Sequence, residues 1–477
     1  MTLDRRTFLK AAAVAAAAPL LPGCATSPGA AARPATLTAG VGRQTLADGR
    51  PPIEVWGYDG AVPGPVLRFR QGERARIVAK NALPEETTVH WHGIRLPNAM
   101  DGVPHLTQAP IAPGGEFVYE FDLPDAGTYW YHPHQASYLQ VARGLYGAFV
   151  VDERDPIEVD RDVVWVISDW RINPDGVQRE DWATFRDLTH GGRIGNVVTV
   201  NGRQLAEGEG LAVRTGERLR LRLVNASTAR IYALDFTGHR PTVIAYDGQP
   251  VAPHPPERGR VVLAPSERVD LVIDCLADPG SRHAVVDRFF ERFAAPVAHL
   301  AYRDEPPLRR APSKAPITLP PNPVPEVDLA RAHRHEIVFE GGAMGSLREG
   351  IVHGRKVPID EMLREHGLAW TVNGVAAIEE HHGHTPLLTL TKDGHYLLAM
   401  RNETNWHHPI HLHGHAFRVV ARDGRPTPRR EWRDTVLMNP RESVDIAFVA
   451  DNPGDWMFHC HILLHQVGGM MATIRVA

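Results

Sequence analysis

The sequence predicts an all-β protein built from three related domains, and three observations predict it. A short apolar strand, a Gly turn and a second strand ending in Asn recur three times along the chain. After each copy comes a Pro, a Glu and another alternating strand, in the same order and at similar separations. The 42 Gly and 40 Pro among 477 residues favour turns and short strands over long helices.

The first element runs from Val66 through Gly72 and Glu73 to Asn81, from Leu211 through Gly216 and Glu217 to Asn225, and from Leu388 through Asp393 and Gly394 to Asn402. Apolar and polar residues alternate on both sides of each turn, as a β-hairpin with one wet face requires, so each copy is expected to be a hairpin. The second element begins at Pro113, Pro265 and Pro440 and carries Glu116, Glu267 and Glu442. Two elements in fixed order, three times over, are explained by three copies of one all-β unit. The expected boundaries are residues 35–152, 153–304 and 328–477, with a Pro-rich linker at 305–327.

Residues 1–34 are expected to be a targeting segment and tether. Arg5 and Arg6 precede Thr7-Phe8-Leu9-Lys10 and an Ala-rich run from Ala11 to Leu21, the pattern of a twin-arginine export signal. The run is too short for a good transmembrane helix. Leu21-Pro22-Gly23-Cys24 resembles a lipidation box, although Pro at its second position departs from the usual residue. The expected location is therefore periplasmic, with membrane attachment only if Cys24 is lipidated. A formal charge of -4 argues against nucleic acid as a partner. Of the three cysteines, Cys24 belongs to the signal region and Cys460 is claimed below as a ligand. Cys275 is left without a partner, so it is expected to be a buried apolar residue and the mature chain to have no disulfide.

Ten of the 26 histidines fall in four motifs: His90-Trp91-His92, His132-Pro133-His134, His408-Pro409-Ile410-His411-Leu412-His413 and His459-Cys460-His461 with His465. The middle third has only scattered His190, His239, His254, His283 and His299. Residues i and i+2 of a strand share a face, so each His-x-His offers two imidazoles side by side. Imidazole suits copper, iron, nickel and zinc alike, but Cys460 must face away from His459 and His461, so one strand serves a thiolate site and an imidazole site at once. A blue copper centre takes two His, one Cys and a weak axial ligand. His408, Cys460, His465 and Met470 supply that set, with Met471 a second axial candidate. The other eight, His90, His92, His132, His134, His411, His413, His459 and His461, are too many for one ion and suit three coppers between the first and third domains. Composition alone predicts about one or two His-x-His pairs, whereas the chain has seven. The extra pairs, His333/His335, His382/His384 and His413/His415, are assigned to chance or the surface, and His381, His382 and His384 to an exposed polar loop.

These motifs resemble the multicopper oxidase family, from about Leu37 to the C-terminus. The resemblance implies three cupredoxin-like domains, each a Greek-key β-barrel or sandwich, with the middle one copper-free, and four coppers per chain. By resemblance His408, Cys460, His465 and Met470 hold the type 1 copper, and His90 and His411 the type 2 copper. His92, His132 and His461 hold one type 3 copper; His134, His413 and His459 hold the other. The implied activity is laccase-like: one-electron oxidation of a reducing substrate at the type 1 site, transfer through Cys460 to His459 and His461, and four-electron reduction of O2 to water. Asp101 resembles the family's acid near the oxygen-reducing centre and is assigned, with Cys460, a catalytic role; its other reading is an Asp-Gly turn residue. Gln466 stands where cuprous oxidases of the family carry Glu, which leaves one proton-relay position unassigned.

Met344 and Met362 lie well apart among nine Met in all, so no Met-rich surface for Cu(I) is expected. Phenols or aromatic amines are the expected donors, with Trp406 and His407 shaping their pocket, and cuprous or other metal-ion oxidation is the alternative. Two readings of other classes fit less well. A copper nitrite reductase would have two such domains and a mononuclear catalytic copper, and a copper-free envelope scaffold would have lost its ligands. A monomer is expected.

Overall fold

Strands carry nearly all the regular structure. A computed structural model describes residues 35–378 and 385–477. The expectations for the signal segment, for Cys24 and for His381, His382 and His384 fall outside those residues. Among the described residues the longest helix, Ile359–Glu365, has seven residues, and no helix is long and apolar enough to cross a membrane.

The strands form three face-to-face sheet pairs. In the first, strands 53–58, 35–44, 74–82 and 116–122 make one sheet, and 64–70, 147–152, 127–132 and 90–92 the other. The middle pair comprises a six-stranded sheet around 217–225 and 268–275 and a five-stranded sheet around 282–287 and 295–302. In the last, a seven-stranded sheet around 395–402 and 443–449 faces strands 388–390, 471–476, 454–460, 408–412 and 435–438. Parallel pairings such as 35–44 with 74–82 and 333–341 with 395–402 bring strands distant in sequence together, as long sheet-crossing connections require.

The repeated element is not a hairpin. Strands 64–70 and 74–82, joined through Gly72, lie in different sheets, as do 211–213 and 217–225, and 388–390 and 395–402. Each Gly turn carries the chain from one layer to the other. A left-handed residue makes the corner: Gly72 (φ 89°), Gly216 (φ 86°) and Asp393 (φ 61°). Period-2 alternation is the same for a strand that turns back and one that crosses over, so the pattern could not separate them.

The two repeated elements meet at one place, which explains their fixed order. Asn81 Nδ2 donates to Glu85 O and Ile111 O, Asn225 Nδ2 to Arg230 O and Leu263 O, and Asn402 Nδ2 to Trp406 O and Asn439 O, all at 2.7–2.9 Å. One acceptor of each pair lies just before the repeated proline. The residue after that proline is left-handed in every copy: Gly114, Ser266 and Arg441. Each buried Asn thus ties the end of its strand to the Pro turn and satisfies backbone groups that burial would orphan.

Buried residues of the first and last sheet pairs belong to one apolar cluster that includes Trp91, Tyr131, Trp370 and Phe458, whereas the middle pair has its own core around Leu221, Leu271 and Cys275. Cys275 and Cys460 are both buried and free. The Pro-rich segment 305–327 has no helix or strand and is pinned at several points. Asn322 exchanges hydrogen bonds with Ala126 and donates to Gln249, and Arg218 donates to Ala315 O. His415, whose pairing with His413 is assigned above to chance or the surface, is not at the surface: it is buried against Phe448 and Trp456, with Nδ1 3.2 Å from His413 O. Strand 408–412 has ended by then, and the left-handed Gly414 (φ 68°) turns His415 into this separate apolar pocket.

Candidate metal centre

Two strand pairs bring the histidines together. Strand 90–92 runs antiparallel to 127–132, with His90 opposite His132, and strand 408–412 runs antiparallel to 454–460, with His411 opposite His459. The four His-x-His pairs have ring centroids 4.8–5.6 Å apart. Contacts then cross between the first and last sheet pairs. His92 stacks on His411 at 3.7 Å, His90 stacks on His413 at 4.0 Å, and His461 lies 5.0 and 5.1 Å from His92 and His132. All eight are buried.

Their tautomers are set from outside the cluster. His90 Nδ1 lies 2.7 Å from Asp101 O, His411 Nδ1 2.8 Å from Asp434 O, His132 Nδ1 3.0 Å from Pro133 O and His459 Nδ1 2.9 Å from Cys460 O. A carbonyl only accepts, so these nitrogens carry the proton and Nε2 keeps its lone pair. His92 is turned the other way: Nε2 is 3.2 Å from Asp434 Oδ1, and Nδ1 is left free. The Asp101 carboxylate bridges two rings, with Oδ2 2.8 Å from His413 Nδ1 and Oδ1 3.2 Å from His90 Nδ1. The nitrogens facing inward, among them Nε2 of His90, His132, His134 and His411, Nδ1 of His92 and both nitrogens of His461, are buried with no hydrogen-bond partner. Burial, and after it the charge of neighbouring imidazoles, holds His92, His132, His134, His408, His413 and His461 well below the usual 6.5. Buried lone pairs converging without donors cost several kcal/mol, and metal cations satisfy them.

A second, smaller site lies on the far side of strand 454–460. Cys460 Sγ is 3.5 Å from His408 Nδ1 and 3.7 Å from His465 Nδ1, and those two nitrogens are 3.1 Å apart. His465 Nε2 donates to His190 O at 2.5 Å. Thr404 Oγ1 gives its proton to Asn402 Oδ1 and accepts from His408 Nε2 at 2.8 Å. Both Nδ1 lone pairs are thereby aimed at the sulfur. Burial pushes the Cys460 thiol pKa up and pulls His465 down to about 3. Met470 is buried beside them, with its backbone bonded to Cys460 N and His465 O. Met471 instead packs with Val103 and Met457. Two imidazoles and a thiol sulfur, with the buried Met470 held alongside by backbone hydrogen bonds, form a donor set suited to copper.

Family models described as multicopper oxidase match residues 42–156, 161–298 and 358–477. The multicopper oxidase MmcO of Mycobacterium tuberculosis is 31% identical over 92% of this chain and 86% of its own length. The chain belongs to the multicopper oxidase family. The crystal structure of a multi-copper oxidase from Pseudomonas thermotolerans superposes with a TM-score of 0.80 at 34% identity, covering 93% of this chain and 99% of that one. Copper resistance protein A of Escherichia coli is 25% identical over 88% of each chain. This multicopper oxidase is accordingly a copper-dependent oxidoreductase with several coppers per chain and cupredoxin-like domains. Residues 2–22 match a twin-arginine signal model, which marks it for export in agreement with a periplasmic location.

Several residues that shape this oxidase's sites were not singled out from the sequence. Asp434, Thr435 and Arg268 border the histidine cluster, and Thr404 and His190 orient the pair at Cys460. Arg268 follows Pro265-Ser266-Glu267 in a repeated element, where nothing marks it as facing the cluster, and the others sit in no spaced motif. A cavity of about 640 Å³ opens next to the Cys460 site, lined by Trp406, His407, Phe289, Phe290, His190 and Ile462 among others. Gln466 is fully buried, and its amide has no partner.

Proposed function

We propose that the protein is a laccase-like oxidase that takes single electrons from a phenol or aromatic amine and passes them to dioxygen. The carrying observation is the convergence of His408, Cys460 and His465 just behind an aromatic-lined cavity, whose wall includes His407, Ile462 and the His190 that accepts from His465 Nε2. In this reading His408, Cys460, His465 and Met470 hold a type 1 copper. His90 and His411 hold a type 2 copper, and His92, His132, His461 and His134, His413, His459 hold the type 3 pair. When bound, copper supplies the redox chemistry, accepting one electron at a time from the donor and delivering four to O2 to give water.

The chain's own residues do the rest. Trp406, His407, Phe289 and Phe290 offer flat apolar faces to an aromatic ring, with Phe289 and His407 edge to face at 5.3 Å. Burial of His408 and His465 excludes water from the sulfur they flank. Cys460 is bonded directly through the backbone to both His459 and His461, so an electron path of covalent bonds joins the two sites. Asp101 contacts His90 and His413 and is the acid placed to hold a proton at the oxygen-reducing cluster. Lipidation at Cys24 and a monomeric state belong to the same proposal; mass spectrometry of the exported protein and its sedimentation velocity test them.

One observation favours a second reading, cuprous oxidation. Met344 is 73% exposed near the cavity, where Asn405 Nδ2 donates to its carbonyl and Trp406 Nε1 to that of Ala343. The cavity wall itself contains no Met or Cys among its described lining residues, which supports the aromatic donor. Oxygen uptake by copper-loaded protein, with a phenol and with Cu(I) in parallel, decides between them. Uptake with the phenol that Cys460→Ser abolishes is the expected result; uptake with Cu(I) alone would move the protein to metal homeostasis.

A further inference from the structure

The middle sheet pair carries no histidine motif, yet it sends one charged side chain to the edge of the histidine cluster. Arg268, the first residue of strand 268–275, is fully buried. Its Nη1 donates to Asp434 Oδ1 at 2.9 Å, and its Nη2 pairs with Asp434 Oδ2, a two-pronged contact that a guanidinium makes and an ammonium does not. Nε donates to Thr128 O and Nη1 also to Ser266 O, each at 3.1 Å. Asp247 accepts from Arg268 N at 2.9 Å and lies 3.6 Å from Nη1, a second carboxylate against the same cation.

Asp434 turns this clamp toward the centre. Its Oδ1 lies 3.2 Å from His92 Nε2 and 3.5 Å from His411 Nδ1, accepts from Thr435 Oγ1 at 2.9 Å, and its main-chain oxygen accepts from His411 Nδ1 at 2.8 Å. These are the two rings that stack across the boundary between the first and last sheet pairs. The chain following His92 passes so close that a Cβ on Gly93 would sit 2.3 Å from Asp434 Oδ2 and 2.4 Å from Arg268 Nη2. A side chain at position 93 would have to displace that ion pair, at a left-handed φ of 85° that already favours glycine.

On the reading that His92 and His411 are copper ligands, we propose that Arg268 is a positioning residue of the histidine centre. It fixes the Asp434 carboxylate, and Asp434 in turn keeps the proton on His92 Nε2 and His411 Nδ1, leaving His92 Nδ1 and His411 Nε2 as the ligating atoms. The copper-free middle domain thereby holds one wall of a centre to which it gives no ligand.

The test measures copper per chain, the blue absorption, the electron paramagnetic resonance of the non-blue copper and the melting temperature of the copper-free form. It uses wild type, Arg268→Lys and the double variant Arg268→Met with Asp434→Leu. Outer-shell partners typically change metal affinity by roughly 10- to 100-fold, so Arg268→Lys is expected to keep the blue absorption while losing copper from the histidine centre by that factor, with an altered non-blue signal. Replacing a buried ion pair by apolar residues is often neutral for stability. The double variant removes the Arg268–Asp434 pair together and leaves Asp247 facing the Arg433 guanidinium at 3.8 Å. It is expected to melt near wild type and still load the histidine centre poorly. If copper loading instead returns together with stability, Arg268 is only structural and the proposal is overturned. Full loading and an unchanged signal in Arg268→Lys would overturn it too. If wild type itself loads no copper beyond the blue site, it is the ligand reading that fails, a distinguishable outcome.

Discussion

His413 and His459 face each other Nε2 to Nε2 at 3.2 Å, and each has its Nδ1 held by an acceptor, Asp101 for one and the Cys460 carbonyl for the other. Neutral rings so held present two lone pairs to one another. A cation between them removes that repulsion, so copper and the folded state should stabilise each other. Binding to the native state alone contributes RT ln(1 + [L]/Kd), about 2.7 kcal/mol per site at a hundredfold excess over Kd. Chelating the copper is expected to lower the melting temperature by several degrees, and calorimetry before and after reloading checks it.

The copper-free protein should be sensitive to acid. His92, His132, His134, His408, His413 and His461 are held neutral by burial, and His465 is lowered to about 3 from an ordinary 6.5. Below 6.5 the unfolded chain takes up protons that the folded chain refuses. Stability is therefore complete above about pH 6.5 and falls as pH drops toward 3, each group contributing up to about 1.4 kcal/mol per pH unit. Urea midpoints from pH 7.5 to 4 should fall steadily; a flat profile would mean that the cluster is open to protons.

Thr404 sets which nitrogen of His408 points at Cys460. Thr404→Val keeps the shape, removes the hydroxyl and frees the ring to change tautomer. Copper binding at Cys460 is expected to weaken roughly 10- to 100-fold, read as loss of the blue absorption in a competition titration. Copper at the histidine cluster should be unaffected.

Trp406 forms one wall of the cavity and pins the neighbouring loop through Nε1 to Ala343 O. Trp406→Ala should raise KM for a phenolic donor several-fold by removing that apolar face, with copper content unchanged. Equal kinetics for wild type and variant would place the donor elsewhere.

Much of this was legible because it is local. His459, Cys460, His461 and His465 reach their sites through strand alternation and one turn, and the gathering of ten histidines in four motifs exceeds chance. Asp434 and Arg268 were invisible for the opposite reason. They meet across 166 residues from different sheet pairs, Arg268 at the start of a strand and Asp434 at the bend between strands 432–433 and 435–438, and neither local sequence marks the contact. The Gly72, Gly216 and Asp393 corners were misread as hairpins because alternation records which face is buried and not which strand is the neighbour. The burial of His415 is not legible from its spacing, because the turn at Gly414 breaks the strand alternation that would place it.

Counting electrons tests the central claim most directly. Oxygen consumption and donor oxidation should be followed together in copper-loaded protein with a phenolic donor. Four donor molecules oxidised per O2, with no hydrogen peroxide released and no turnover in Cys460→Ser, is the predicted result. Two per O2 with peroxide accumulating, or equal turnover in Cys460→Ser, would contradict it.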